Sequence, residues 1–231
     1  ANSMKYRNLT LVGTSHIAKQ SLEDVRRVIE TEKPELICLE LDRKRAYALI
    51  HNIKGSTRLR DIPRIGVKGY LFSLIGAWAE RKLGDAVGVS PGEEMKTGLV
   101  LAKERKIKVA LIDQDIEVTL KRFSKALTWR EKWNFIVDLV KGVIFKEKKY
   151  QFDLSKVPSK DLIKKMIDEV RVRYPNLYKV LVVERNEYMA KKLIRIMVKK
   201  PEGKIVAFVG AGHEKEMIDM IKEGINKVDS V

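Results

Sequence analysis

The chain has 231 residues, of which 45% are hydrophobic and 34% are charged. A chain of this length and composition can bury a full core, which excludes a disordered protein and favours one enlarged domain. Its single cysteine, Cys38, lies within an apolar run and excludes a disulfide framework, so we expect a reduced, cytoplasmic setting.

The net charge is strongly positive, because 47 Lys and Arg outnumber 31 Asp and Glu and give +16 at pH 7. Such a charge is typical of proteins that bind nucleic acid, an anionic membrane surface or an acidic substrate. Here the basic residues are spread along the chain and usually neighbour acids, as in the Lys- and Glu-rich composition of heat-adapted proteins. We therefore interpret the charge mainly as a solvated surface and keep an anionic membrane surface as a partner. Nucleic acid is not expected, because none of its binding motifs occurs.

Short apolar runs alternate with amphipathic helical patterns along most of the chain. Strands are predicted at residues 8–13, 34–41, 106–113 and 204–210. Helical patterns lie between these runs and after the last of them. Because the strands are separated by helices and are nearly continuous apolar runs, we predict an α/β fold with a mostly parallel central sheet flanked by helices.

The sequence predicts a single domain over residues 4–231, without repeats or low-complexity segments. Residues 120–180 carry helical patterns without strands, which indicates a helical insertion between the third and last strands. Residues 1–3, which precede Met4, resemble a cloning scar and are left out of the fold prediction.

Two turns share the pattern Gly-x-x-His at the ends of the first and last predicted strands. Residues 13–16 read GTSH and residues 210–213 read GAGH. In an open parallel sheet, functional residues collect in the crevice at the carboxyl ends of the strands. If the first and last strands are neighbours, His16 and His213 lie within reach of one metal ion or one substrate. Imidazole is a common metal ligand and is suited to proton transfer near neutral pH.

Carboxylates follow the second and third predicted strands at the same edge. Glu40 and Asp42 end the second strand, and Asp113 and Asp115 end the third. Period-two spacing directs each pair to one side of its strand. A strand-end carboxylate is also a common helix cap, so a purely capping role stays open for Asp42 and Asp115. The remaining histidine, His51, is interpreted as a surface or packing residue.

Five stretches carry a family resemblance: GTSHIAKQS, LELDRKRAYAL, PGEEMKTGLVLAKERKIKVALIDQDIEVTLKR, VVERNEYMA and VGAGHEKEM. They occur in the order and approximate spacing of the TraB (pheromone-shutdown) family. The chain resembles this family over nearly its whole length from Met4. The family is in turn similar to Tiki, to erythromycin-esterase-like proteins and to ChaN-like proteins.

The resemblance implies catalytic roles for His16, Glu94, Arg185 and His213. Of these, His16, Glu94 and His213 would hold a divalent metal of the Mn or Co type, and mixed imidazole and carboxylate ligation also suits Zn or Fe. Glu93 is the neighbouring alternative to Glu94, which could also be only an acid that complements a helix dipole. Supporting roles are expected for Gly13, Glu40, Asp42, Glu184 and Gly210.

The same resemblance implies that Arg185 stabilises the charge that develops on an attacked carbonyl oxygen. The alternative is that Glu184 and Arg185 only lock the last helix to the sheet. The chain departs from the family in the acid–Arg–acid stretch, which here has Gln114 in place of arginine. For this reason no role is assigned to Asp113 or Asp115.

As a function, the resemblance implies a divalent-metal-dependent hydrolase of peptidase type that acts on a peptide or a small signalling substrate. Two alternatives stay open. One is a metal-free, esterase-like hydrolase with a histidine as general base. The other is a non-catalytic protein that binds or sequesters a peptide pheromone.

Relatives in this family often continue into hydrophobic C-terminal segments. We therefore expect a cytoplasmic soluble domain that a further C-terminal region could anchor to a membrane. A homo-oligomer is compatible with the sequence, which contains no feature that fixes the number of copies.

Overall fold

The computed structural model describes residues 2–14, 19–53, 63, 92–131, 133–134, 137, 168, 170–210 and 213–230. Two predictions fall wholly or largely outside these residues. They are the position of His16 and most of the helical insertion at 120–180.

The strands of the described residues form one sheet. They are β1 (Asn2–Tyr6), β2 (Leu9–Thr14), β3 (Leu36–Leu39), β4 (Lys108–Leu111) and β5 (Ile205–Gly210). Their order is β1-β2-β5-β3-β4, with β1 antiparallel to β2 and the other neighbours parallel. The predicted α/β fold with a mostly parallel sheet is confirmed, and the first and last predicted strands, β2 and β5, are neighbours.

Strand β1 lies at the edge of the sheet and was not predicted. Asn2 and Ser3, which resemble a cloning scar in the sequence, pair with Gly13 and Val12 of β2. Residues 3–6 of β1 alternate between exposed and half-buried positions, as expected for an edge strand with one face in solvent. A short polar strand of this kind lacks the continuous apolar run that marks the other four.

Seven helices have both of their ends within the described residues. They are α1 (Lys19–Glu32), α2 (Arg43–Ile50), α3 (Glu93–Glu104), α4 (Ile116–Ala126), α5 (Pro175–Tyr178), α6 (Glu184–Lys199) and α7 (Glu214–Asp229). A π-helical turn, Lys179–Val183, joins α5 to α6. Within the described ranges, no helix has both the length and the apolar character needed to cross a membrane.

The core has two layers, one on each face of the sheet. Helices α1, α2 and α3 contribute to one layer, and α6 and α7 contribute to the other. Strand β5 is a continuous apolar run because both of its faces are buried. Val206 and Phe208 pack in the first layer, and Ala207 and Val209 pack in the second. Cys38 is buried in the second layer, and burial raises the pKa of its thiol to about 12.

Five of the helices have their N-terminal ends at the carboxyl edge of the sheet, which is the edge where β2 to β5 end. Helices α2, α4 and α7 begin shortly after β3, β4 and β5, and α3 and α6 lead directly into β4 and β5. Because β2 to β5 are parallel, a helix that follows one of these strands, or that leads back into the next one, begins at that edge. Helix N-termini carry partial positive charge, which favours carboxylates there.

Candidate active site

Glu40 directly follows β3 and is buried at the carboxyl edge. Its Oε2 accepts a hydrogen bond from the backbone N–H of Gly210 at 2.6 Å, and its Oε1 accepts one from Nη2 of Arg185. One carboxylate therefore ties the end of β5 to the first turn of α6. A carboxylate that accepts from a backbone N–H and a guanidinium is held in a fixed orientation.

Arg185 binds a second buried carboxylate as well. Its Nε and Nη2 donate to the two oxygens of Asp113 at 3.1 and 2.6 Å, and its Nη1 donates to the carbonyl of Leu181 at 3.2 Å. Burial by itself lowers the pKa of Arg185, but the charges of Glu40 and Asp113 and the hydrogen bonds to them outweigh this and raise it. Arg185 therefore stays charged and locks α6 to the ends of β3 and β4.

Arg45 extends the cluster toward α2. Its Nη2 donates to Asp113, and its Nε donates to Asp42 at 2.6 Å. Asp42 also caps α2 by accepting from the backbone N–H groups of Lys44 and Arg45 at 2.8 and 3.0 Å. The capping role that stayed open for Asp42 is thus present, together with a second role in the cluster.

His213 lies at the N-cap of α7, three residues after Gly210. Its Nδ1 is 2.6 Å from Oδ1 of Asn186, and its Nε2 is 3.6 Å from Oε1 of Glu40. The histidine is almost fully buried. The second Gly-x-x-His turn therefore presents its imidazole to the strand-end carboxylate that the sequence places at this edge.

The first Gly-x-x-His turn begins at the same edge. Gly13 pairs with Val209, and Thr14, the last residue of β2, pairs with Gly210. Strand β2 therefore ends beside Gly210, the first residue of the second Gly-x-x-His turn. His16 itself lies outside the described residues.

Glu94 is 1% exposed in the first turn of α3. One turn later, Gly98 approaches the side chain of Leu39 so closely that a Cβ at this position would lie 3.0 Å from Leu39 Cδ2. Since Leu39 ends β3, Glu94 lies beyond the end of that strand, on the side of the carboxyl edge. Its neighbour Glu93 is half-buried and 3.9 Å from Lys96.

Two of the named carboxylates lie apart from the cluster around Glu40. Asp115 caps α4 by accepting from the backbone N–H of Glu117 at 2.8 Å. Glu184 forms a two-pronged ion pair with Arg122 of α4. The adjacent residues Glu184 and Arg185 therefore serve different contacts, and only Arg185 belongs to the cluster.

Several site residues have no role in the sequence prediction. Asp113, to which no role was assigned because Gln114 replaces the arginine of the family, binds two arginines and is almost fully buried. Its position at the end of the third predicted strand, with Asp115 at period-two spacing, could have indicated a role at the carboxyl edge. Asn186 had no such signal, because its partner His213 lies 27 residues away in the chain.

The fold and this cluster define an α/β protein with a polar site at the carboxyl edge of a mostly parallel sheet. The sequence profile of the TraB/PrgY/gumN family matches residues 3–223, and the chain belongs to that family. The family resemblance drawn from the five sequence stretches is confirmed.

Curated relatives extend this result. An uncharacterized protein of Methanocaldococcus jannaschii is 32% identical over 235 residues, covering 99% of this chain and 57% of that protein. A TraB domain-containing protein of Homo sapiens is 26% identical over 197 residues, covering 79% of this chain and 51% of that protein. The chain of Bos taurus with the same name is 27% identical over the same length. The chain spans about half the length of the curated relatives it matches.

Proposed function

We propose that the chain is a divalent-metal-dependent hydrolase that acts on a peptide or a small signalling substrate at the carboxyl edge of the sheet. One observation carries this proposal. A buried imidazole nitrogen, Nε2 of His213, lies 3.6 Å from a buried carboxylate oxygen, Oε1 of Glu40.

The separation of these two atoms fits a shared metal ion. Two ligands with bonds of about 2.1 Å in tetrahedral geometry lie roughly 3.4 Å apart. Only a small movement of His213 or Glu40 would bring both atoms into that relation. Among the described residues no three His, Cys, Asp or Glu side chains converge on one position. The proposed site therefore includes His16, which follows the end of β2 in the sequence.

The charge of the cluster also favours a cation. Three carboxylates and two guanidiniums are joined by hydrogen bonds, and they are Glu40, Asp42, Asp113, Arg45 and Arg185. With all three carboxylates ionised, this set has a surplus of one negative charge. Buried surplus charge is costly unless a counter-charge compensates it, and a bound metal cation would supply one.

We propose His16, Glu94 and His213 as ligands, the set that the family resemblance implies, with Glu40 as a further ligand beside His213. A bound Mn, Co, Zn or Fe ion would act as a Lewis acid and would lower the pKa of a bound water. The chain's own residues prepare the site, because Arg185 and the N–H of Gly210 fix Glu40 in place. The guanidinium of Arg185 already donates hydrogen bonds to Glu40 and Asp113. This supports a role in positioning Glu40 more than a role in direct contact with an oxyanion.

A turnover assay tests this proposal. Protein stripped of metal with a chelator is incubated with a peptide pool and with small ester substrates, before and after Mn, Co or Zn is added. We expect peptide cleavage only after metal addition, with kcat reduced at least about 100-fold in His213→Ala. Ester cleavage that needs His213 but no metal would favour the metal-free hydrolase. Peptide binding that survives in His213→Ala without any cleavage would favour the sequestering protein.

A second proposal concerns the partner surface. Trp129 and Trp133, four residues apart, are 84% and 67% exposed, and the neighbouring Lys125 and Arg130 are exposed as well. Aromatic and basic side chains together are typical of surfaces that contact the headgroups of an anionic membrane. The net charge of +16 acts in the same direction. We propose an anionic lipid surface as the occupant of this Trp129–Trp133 face.

A further inference from the structure

We propose that Asn186, Glu216 and Tyr178 form a hydrogen-bonded relay that fixes the tautomer of the neutral His213 ring, so that Nδ1 carries the hydrogen and Nε2 carries the lone pair. These three side chains act as positioning residues. The inference rests on the proposed function only in giving Nε2 the role of metal ligand or proton acceptor. The tautomer itself does not depend on a metal or a substrate.

The relay runs through three helices. The hydroxyl of Tyr178, at the end of α5, donates to Oε1 of Glu216 at 2.8 Å. Nδ2 of Asn186, in the first turn of α6, donates to Oε2 of the same carboxylate at 2.9 Å. Oδ1 of Asn186 then lies 2.6 Å from Nδ1 of His213 at the start of α7.

The chemistry of these groups sets the direction of each bond. An ionised carboxylate only accepts hydrogen bonds, so Glu216 requires the NH₂ group of Asn186 on its side. The amide oxygen of Asn186 is then left facing His213, and it can only accept. Nδ1 of His213 must therefore be the donor, and in the neutral ring the lone pair belongs to Nε2. The reverse orientation of the amide would place two acceptors, Oδ1 and the carboxylate, against each other.

The surroundings hold the relay in place. Asn186 is fully buried and Tyr178 nearly so. Burial and the hydrogen bond to Glu216 raise the pKa of Tyr178 to about 12, so its hydroxyl remains a donor throughout the neutral range. The π-helical turn Lys179–Val183 lies between Tyr178 and α6, and its Leu181 carbonyl accepts from Arg185. π-Helical turns are frequent at functional sites.

A fixed tautomer matters at a metal or proton-transfer site. Histidines that bind a metal commonly donate their second ring N–H to an oxygen, which orients the ring and raises its basicity. Loss of such a partner typically weakens metal binding about 10- to 100-fold. The same arrangement would serve a general base, because Nε2 would be the atom that takes the proton.

Nitrogen-15 NMR of the histidine rings tests the relay directly on the metal-free protein. The His213 signals are assigned by their loss in His213→Ala, and spectra are recorded over a pH series up to the neutral ring. We expect the Nδ1–H tautomer at His213 in the wild type. Asn186→Leu should shift His213 toward the Nε2–H tautomer, and the signals of His51 in the same spectra should not change.

Glu216→Gln provides a second variant that keeps the size of the side chain. The glutamine can donate as well as accept, so the amide of Asn186 can turn over and a mixture of His213 tautomers is expected. Tyr178→Phe leaves the Asn186–Glu216 bond intact and should preserve the wild-type tautomer. Thermal melts show which variants are folded, and Glu216→Gln decides the question if Asn186→Leu is not.

The outcomes separate the relay from the proposed function. An Nε2–H tautomer at His213 in the wild type, or an unchanged tautomer in a folded Glu216→Gln and a folded Asn186→Leu, would overturn the relay whatever the metal does. An Nδ1–H tautomer that responds to both variants supports the relay, even if titration with Mn, Co and Zn shows no binding and the metal-dependent function fails.

Discussion

At the scale of single residues, Arg185 is the cation on which the buried cluster depends. It binds both Glu40 and Asp113, and its charge is preserved by those two carboxylates. Removing one member of a buried ion pair leaves the partner charge uncompensated, which is more costly than losing a surface pair.

We therefore expect Arg185→Met to lower the free energy of unfolding by about 3–5 kcal/mol. The matched control is Arg122→Met, which removes the more exposed pair with Glu184 and should cost about 0–1 kcal/mol. Urea denaturation of both variants at pH 7 measures the difference. Equal losses for the two variants would show that burial of the Arg185 cluster has no special energetic role.

At the scale of helices and strands, Glu131 joins two segments of the chain. Thr128 and Glu131 form a capping box, because the backbone N–H of Thr128 donates to Glu131 Oε2 at 3.0 Å and the N–H of Glu131 donates to Thr128 Oγ1 at 3.3 Å. Glu131 Oε1 also accepts from the backbone N–H of Asn176 in α5 at 2.7 Å. The carboxylate of Glu131 therefore connects the helical segment that follows Thr128 to α5, which precedes α6 in the chain.

The pH dependence of this contact has a definite sign. Burial raises the pKa of Glu131, but the hydrogen bonds from Thr128 and Asn176 outweigh it and lower the pKa. A lowered folded-state pKa means that the contribution to stability is present above the unfolded pKa of about 4.3 and is lost as the pH falls through the folded value.

Glu131→Gln should therefore lower the free energy of unfolding by about 1–3 kcal/mol at pH 7, where the carboxylate is charged. The difference from the wild type should shrink as the pH falls below about 4.3. Chemical denaturation at pH 7, 5 and 3.5 measures it. A difference that is constant over this range would mean that the ionised form of Glu131 is not what stabilises the contact.

At this scale, the sequence predicts the elements that have a strong hydrophobic pattern. Strands such as β5 are buried on both faces and therefore read as continuous apolar runs, whereas the half-exposed edge strand β1 does not. The ends of the strands also placed Glu40 and His213 at one edge. The roles of Asn186 and Tyr178 could not be predicted, because they depend on how α5, α6 and α7 meet in space and no local spacing records that.

At the scale of the whole molecule, the positive charge and the Trp129–Trp133 face predict binding to anionic membranes. Vesicles with phosphatidylserine should shift the tryptophan fluorescence to shorter wavelength, and neutral phosphatidylcholine vesicles should not. Binding should weaken with added salt, because screening reduces the attraction between exposed charges and the surface.

The matched variants for this experiment are Trp129→Ala with Trp133→Ala, and Tyr47→Ala as the control at another exposed aromatic residue. Co-sedimentation with the vesicles should fall in the tryptophan double variant and stay unchanged in Tyr47→Ala. Equal binding by all three proteins would assign the attraction to the overall charge and contradict a role for the Trp129–Trp133 face.

The central claim is that the two Gly-x-x-His turns form one metal site at the carboxyl edge of the sheet. Titration calorimetry with Mn, Co and Zn, together with elemental analysis, tests it on the wild type, His16→Ala and His213→Ala. His51→Ala is the matched control, because His51 is exposed at the end of α2 and its ring contacts only the tilted ring of Tyr47 among the aromatic contacts of the described residues. We predict one ion per chain in the wild type and in His51→Ala, and loss of binding in both other variants. Binding that persists in folded His213→Ala, or no binding in the wild type, would contradict the claim.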